Sequence, residues 1–129
     1  MESARVLIVE DEEDVRELMV VLLSARGCVV ESAVNAAQAL PLLRTRDYDV
    51  VLCDIRLPGV DGRTLYQQVQ AERPEMARRF LICTGDSVSP ETEQFLRSSR
   101  LPVLLKPFRS EDLLDALLPF LRHLSRGRG

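Results

Sequence analysis

DVVLCDIRLPGVDG, residues 49–62, holds an apolar run from Val50 to Cys53 that ends on a carboxylate, Asp54, before the chain breaks at Pro58-Gly59 and Gly62. A short continuous apolar run bounded by turn residues reads as a strand buried on both faces, the kind found in parallel sheets under two layers of helices. That fold puts the exit of each strand on one edge of the sheet, where α/β proteins collect ligands. Asp54 stands at such an exit.

The pattern extends in both directions. Val6-Leu7-Ile8-Val9 is a second apolar run, and Val15, Leu18, Met19, Leu22 and Leu23 follow at helical spacing. The alternation continues with a weak strand at Cys28 to Glu31, a helix from Ala36 to Arg44, the Val50 to Cys53 strand and a helix from Arg63 to Ala71. It closes with a strand at Phe80 to Cys83, a helix from Pro90 to Ser98, a strand at Val103 to Leu105 and a helix from Glu111 to Leu124. Five strand-helix units predict an α/β fold with a doubly wound, five-stranded parallel sheet. Pro41 and Pro119 fall inside helical patterns and predict kinks or early helix ends. Pro74 and Pro102 read as loop residues.

At 129 residues the chain fits one domain, read as residues 1–124 with a flexible tail over 125–129. Hydrophobic residues make up 46% and charged residues 29%, the balance of a soluble globular chain. A net charge of -3 argues against general nucleic-acid binding. No apolar stretch approaches the ~18 residues of a membrane span, and the N-terminus enters a strand directly, so a cytoplasmic setting is expected. Cys28, Cys53 and Cys83 form no C-x-x-C pair and have one histidine, His123, to join them; they read as small buried hydrophobes.

The strand exits carry Glu10 and Asp11 after the first strand, Asp54 after the third, Thr84 after the fourth and Lys106 after the fifth. Taken singly, each has a plain alternative: acids before a helix suit its N-terminus, an aspartate at a strand end suits a turn, and a lysine before proline suits the surface. Taken together, three acids face one lysine, an excess of negative charge that a hard divalent cation such as Mg2+ would neutralise. Beside such a cation Asp54 can act as a carboxylate nucleophile toward phosphorus, with Thr84 and Lys106 meeting the charge on the transferred group.

The segments VLIVEDEEDVRELM, DVVLCDIRLPGVDG, LICTGD and LLKPF together resemble the response-regulator receiver domains of two-component signalling, over residues 4 to 123. The resemblance implies a flavodoxin-like (βα)5 fold with sheet order 2-1-3-4-5. It implies that Asp54 is the phosphoacceptor, charged by a histidine kinase, a phosphotransfer domain or a small phosphodonor, and that Thr84 and Lys106 grip the phosphoryl group. It further implies that Asp11 and Asp54 bind Mg2+, with Mn2+ as a substitute, that the backbone carbonyl of Arg56 is a third ligand, and that Glu10 acts through water. A cis Lys106-Pro107 bond and an output face on the fourth helix, fifth strand and fifth helix of the pattern belong to the same set. So does the absence of enzymatic turnover on an external substrate.

The sequence departs from the family at position 103, where Val103 replaces the usual aromatic residue and leaves its inward swing without an agent. Arg56 and Asp86, each two positions past a site residue, are opposite charges expected to pair as a lid over the pocket. Gly85 is expected to leave access to the pocket open. The lack of an aromatic before LLKPF also resembles receivers attached to hybrid histidine kinases, the alternative to a free-standing regulator. An aspartyl-phosphate phosphohydrolase is a remoter alternative, since Arg56 stands where such enzymes carry a second acid. An unphosphorylated pseudo-receiver would not need all five functional side chains, and a flavin would meet acids where it needs a phosphate-cradling loop.

Overall fold

Every residue of the Val50 to Asp54 strand is buried, as the apolar run demands. The computed structural model describes residues 3–85 and 89–128, with side chains through Leu121. Five strands, β1 (Arg5–Val9), β2 (Val29–Ala33), β3 (Val50–Asp54), β4 (Phe80–Thr84) and β5 (Val103–Leu105), form one parallel sheet in the order β2-β1-β3-β4-β5. The expected fold class and strand order are both observed.

Alternate residues of each strand enter different cores. Leu7, Val9, Val51 and Cys53 pack under α2 (Ala36–Thr45), α3 (Gly62–Glu72), α4 (Pro74–Ala77) and α5 (Pro90–Ser99). Val6, Ile8, Val50 and Leu52 pack under α1 (Glu13–Ser24) and α6 (Ser110–Arg128). With helices on both sides the central strands β1, β3 and β4 are buried past Arg5, which is why they read as unbroken apolar runs, while the edge strands β2 and β5 leave Val29, Val103 and Leu105 exposed. All three cysteines are buried in these cores, and none is in a disulfide. Among the described residues no helix is long and apolar enough to cross a membrane.

Local chemistry sets the helix starts. The side chains of Asn35, Asp61 and Ser89 accept hydrogen bonds from the backbone N–H groups of Gln38, Thr64 and Thr92, satisfying donors that the first turn leaves open.

Several sequence expectations need correction. Pro41 does not end α2, which continues to Thr45: Ala39 and Leu43 hold the helix in the core, while Pro41 faces solvent, where water can satisfy the carbonyl it frees. Pro119 likewise lies inside α6. Pro74 opens the short α4 rather than sitting in a loop, since proline at the first helical position loses no hydrogen bond. The last helix runs past Leu124 to Arg128, so residues 125–128, read as a tail, have helical backbone. Gly127 there costs only about 1 kcal/mol relative to alanine, too little to stop a helix by itself. Asp86 lies outside the described residues, and with it the expected pairing to Arg56.

Candidate functional site

The strand register brings distant residues level at one edge: Val9 lies opposite Cys53, Asp54 opposite Cys83 and Thr84 opposite Leu105. Among the described residues, the buried polar or charged ones are Glu10 at 1% exposure, Asp54 at 5% and Thr84 at 2%. All three stand at the carboxyl ends of β1, β3 and β4. Burial of a charge is costly unless it is paired, so their concentration at one edge calls for a partner.

Lys106 is that partner. Its Nζ donates to Glu10 Oε1 at 2.5 Å and to Asp54 Oδ2 at 2.7 Å, and lies 3.9 Å from Glu12 Oε1. The lysine is positioned by its backbone, whose N–H donates to the carbonyl of Thr84 at 2.8 Å, and the Lys106-Pro107 bond is cis. The second oxygens of both carboxylates are held by the backbone two residues on: Glu12 N–H donates to Glu10 Oε2 at 3.1 Å and Arg56 N–H to Asp54 Oδ1 at 2.9 Å. Each buried carboxylate is thus fixed by one oxygen and presents the other to the same ammonium.

Burial pushes the Glu10 carboxyl up to about 7, against the opposing pull of Lys106 and of the Glu12 N–H. Burial alone would lower Lys106, but its hydrogen bonds to Asp54 and Glu10 outweigh this and raise it above its ordinary value. Burial pushes the flanking Cys83 thiol up to about 12 and Cys53 in the same direction, which disfavours their reactive thiolate forms.

Two glycines differ sharply in what surrounds them. A Cβ on Gly62 would lie 2.4 Å from the Asp54 carbonyl oxygen, so the loop folds back onto the β3 exit only because this residue has no side chain. A Cβ on Gly85 would meet nothing within 4 Å. The Pro58-Gly59 turn uses a left-handed φ of 77° at Gly59, a conformation glycine adopts readily.

The structure brings together Glu10, Asp54 and Lys106, with Thr84 beside them in β4. Asp11 is exposed, and the acids whose oxygens lie within 4.8 Å of one another are Glu10, Glu12 and Asp54. Sequence reasoning overlooked Glu12, hidden in an acidic run. It also overlooked Arg16, whose guanidinium donates to the carbonyls of Glu10 at 3.0 Å and Asp11 at 3.4 Å and ties down the acidic turn. Val103 is 38% exposed on β5. The oxygen-only donor set, already gathered around a stand-in cation in the Lys106 ammonium, fits a hard divalent metal.

The family model described as response regulator receiver domain matches residues 6–118. Response regulator MprA of Mycobacterium sp. (strain KMS) is 33% identical over 126 residues, covering 97% of this chain and 54% of that protein. The C4-dicarboxylate transport transcriptional regulatory protein DctD of Rhizobium meliloti is 29% identical over 111 residues, covering 86% of this chain and 24% of that protein. The chain therefore spans between about a quarter and about half the length of these relatives. Among solved structures, a CheY-like receiver domain protein from Methanospirillum hungatei JF-1 superposes with a TM-score of 0.85 at 26% identity, covering 98% of this chain and 99% of that one. The receiver domain of sensor histidine kinase PA1611 from Pseudomonas aeruginosa PAO1, with magnesium in its active site cleft, gives a TM-score of 0.81 at 25% identity, covering 92% and 98%. Sheet order, the carboxylate-lysine cluster at the strand exits and the matched length agree: this chain belongs to the response regulator receiver domain family.

Proposed function

We propose that Asp54 accepts a phosphoryl group from the phosphohistidine of a histidine kinase or phosphotransfer domain, and that the resulting acyl phosphate switches contacts with a downstream protein. The observation that carries this reading is the buried Asp54 carboxylate, held by the Arg56 N–H and paired with Lys106 at a strand exit. In the transfer a carboxylate oxygen attacks phosphorus, the P–N bond breaks, and its electrons leave with the imidazole, which takes a proton from solvent. A divalent cation bound by Asp11, Asp54 and the Arg56 carbonyl, with Glu10 acting through water, would neutralise the phosphoryl oxygens. Lys106 and the Thr84 hydroxyl serve those oxygens from the β4–β5 side.

The chain is then a partner in phosphotransfer rather than an enzyme turning over external phosphoesters; the position two residues past Asp54 is Arg56, with no acid to serve as a general base. Output through α5, β5 and α6 is supported by exposed Val103, Leu105 and Leu118 on β5 and α6. A donor phosphohistidine and three cysteines outside disulfides suit a cytoplasmic setting. Attachment to a hybrid kinase remains the second reading, favoured by the similarity to the PA1611 receiver. The test is transfer of labelled phosphate from a phosphorylated phosphotransfer domain: label on the chain released by neutral hydroxylamine, as an acyl phosphate requires, supports the reading, and hydroxylamine-stable label contradicts it.

A further inference from the structure

In a parallel sheet every segment that leads from a helix into a strand lies at the edge where strands begin, opposite the Asp54 edge. Here those segments carry arginine: Arg26 stands before β2, Arg46 before β3, Arg78 and Arg79 before β4 and Arg100 before β5, and β1 starts at Arg5. With the sheet order β2-β1-β3-β4-β5 they span its whole width, ~19 Å at the usual strand spacing. The acids nearest this edge are already engaged: Asp47 by Arg73, Glu31 by Arg46 and Glu72 by Arg44, while Asp49 accepts from the Arg5 N–H. Arg26, Arg78 and Arg100 are exposed, and none forms an ion pair among the described residues. Helix α6 runs back along the sheet from the Asp54 edge, and its last stretch, residues 122–128, holds Arg122, Arg126 and Arg128 and no acid. Attraction to helix carbonyls accounts for one arginine at a helix end. It does not account for Arg100, which holds a left-handed φ of 57° where glycine would cap at less cost.

We propose that this arginine edge docks the chain on a membrane surface that carries anionic phospholipid. Each arginine held near such a surface adds to the attraction, and no apolar insertion is needed. The net charge of -3 does not oppose docking. The acidic run from Glu10 to Asp14 lies beyond the five residues of β3, ~17 Å away, whereas charge at physiological salt is screened over ~8 Å. A nucleic acid fits the same edge less well: among the described residues no aromatic side chain is exposed to stack on a base, and the edge is made of short connections rather than a helix that could enter a groove. Docked this way, the chain turns Asp54 away from lipid and leaves it open to the proposed phosphodonor.

The test is sedimentation of the whole chain with vesicles of phosphatidylcholine alone and of phosphatidylcholine mixed with phosphatidylglycerol. The wild type should pellet with the mixed vesicles in low salt, stay in solution with phosphatidylcholine alone, and lose its binding as salt is raised. Arg78→Gln/Arg100→Gln should partition roughly tenfold or more weakly, while Arg78→Lys/Arg100→Lys, which keeps the charge, should stay within about threefold of wild type. Arg63→Gln/Arg109→Gln removes the same charge at the Asp54 edge and should stay within about twofold. Equal losses in the two glutamine variants, a lysine variant that loses binding, or a wild type that does not pellet with mixed vesicles would overturn the proposal. Release of the chain from the vesicles by a DNA duplex at equal phosphate concentration would assign the edge to nucleic acid and overturn it too. Matching far-UV circular dichroism of the variants excludes unfolding as the cause of a loss.

Discussion

Gly62 shows how tightly the site is fitted to its backbone. Its missing Cβ would sit 2.4 Å from the carbonyl oxygen of Asp54, an atom that cannot move without moving the proposed phosphoacceptor. Gly62→Ala should therefore destabilise by about 2 kcal/mol in urea unfolding and slow phosphoryl uptake, because overpacking is relieved only by backbone shifts. Gly85→Ala, whose Cβ meets nothing within 4 Å, should stay close to wild type in stability. Equal costs at the two positions would count against this account. Lys106→Met leaves Glu10 and Asp54 facing each other without a counter-charge. Its partial exposure softens the penalty, so a loss of about 2 kcal/mol is expected in metal-free buffer, with part of it recovered on adding Mg2+. A Lys106→Met protein as stable as wild type without metal would show that the ammonium does not balance the acids. At this scale the sequence was only partly legible. Asp54, Glu10, Thr84 and Lys106 could be placed because strand ends are predictable, but Glu12 and Arg16 could not. Which member of an acidic run reaches the pocket depends on how one turn is pinned, and the span of an arginine across that turn has no periodic signature.

Among the elements, the strands were the most readable, because burial on both faces leaves an apolar run with few alternatives. The short α4 was not, since one turn carries no periodicity and its proline signals a loop as well as a helix start. The connection there depends on Arg73, whose guanidinium donates to the carbonyls of Leu43 and Arg46 at the end of α2 and to Asp47. Arg73→Ala should cost about 1–2 kcal/mol at neutral pH. The hydrogen bond and charge of Arg73 hold the Asp47 carboxyl below its ordinary value. That share of the stability is therefore present above about pH 4, the ordinary aspartate value, and is lost as acid titrates Asp47. The gap between wild type and Arg73→Ala should narrow in acid; a gap that widens below pH 4 would contradict the pairing. At the end of α5, Arg100 adopts a left-handed φ of 57° without being glycine. Arg100→Gly should raise stability by about 1 kcal/mol, read as a higher urea midpoint, and a lower midpoint would show that the arginine side chain does more than cap.

Over the whole molecule, the sheet order gathers residues from positions 10 to 106 onto one edge, and that order could be anticipated only through the family resemblance. Strand periodicity alone leaves the arrangement open, since any right-handed winding of five units would satisfy it. The same scale holds the least legible feature, the route by which the proposed phosphorylation of Asp54 would reach the proposed output face. Val103 offers no aromatic to swing inward, so in the proposed switch the coupling would fall to Thr84 and to Lys106, whose backbone N–H donates to the Thr84 carbonyl. Whether Asp54 is the phosphoacceptor of a cation-assisted site is decided by intact mass after incubation with phosphoramidate and Mg2+. One added phosphoryl group is expected on the wild-type chain, and none on Asp54→Ala or when the metal is chelated. No addition to the wild type, or the same addition to Asp54→Ala, would contradict it.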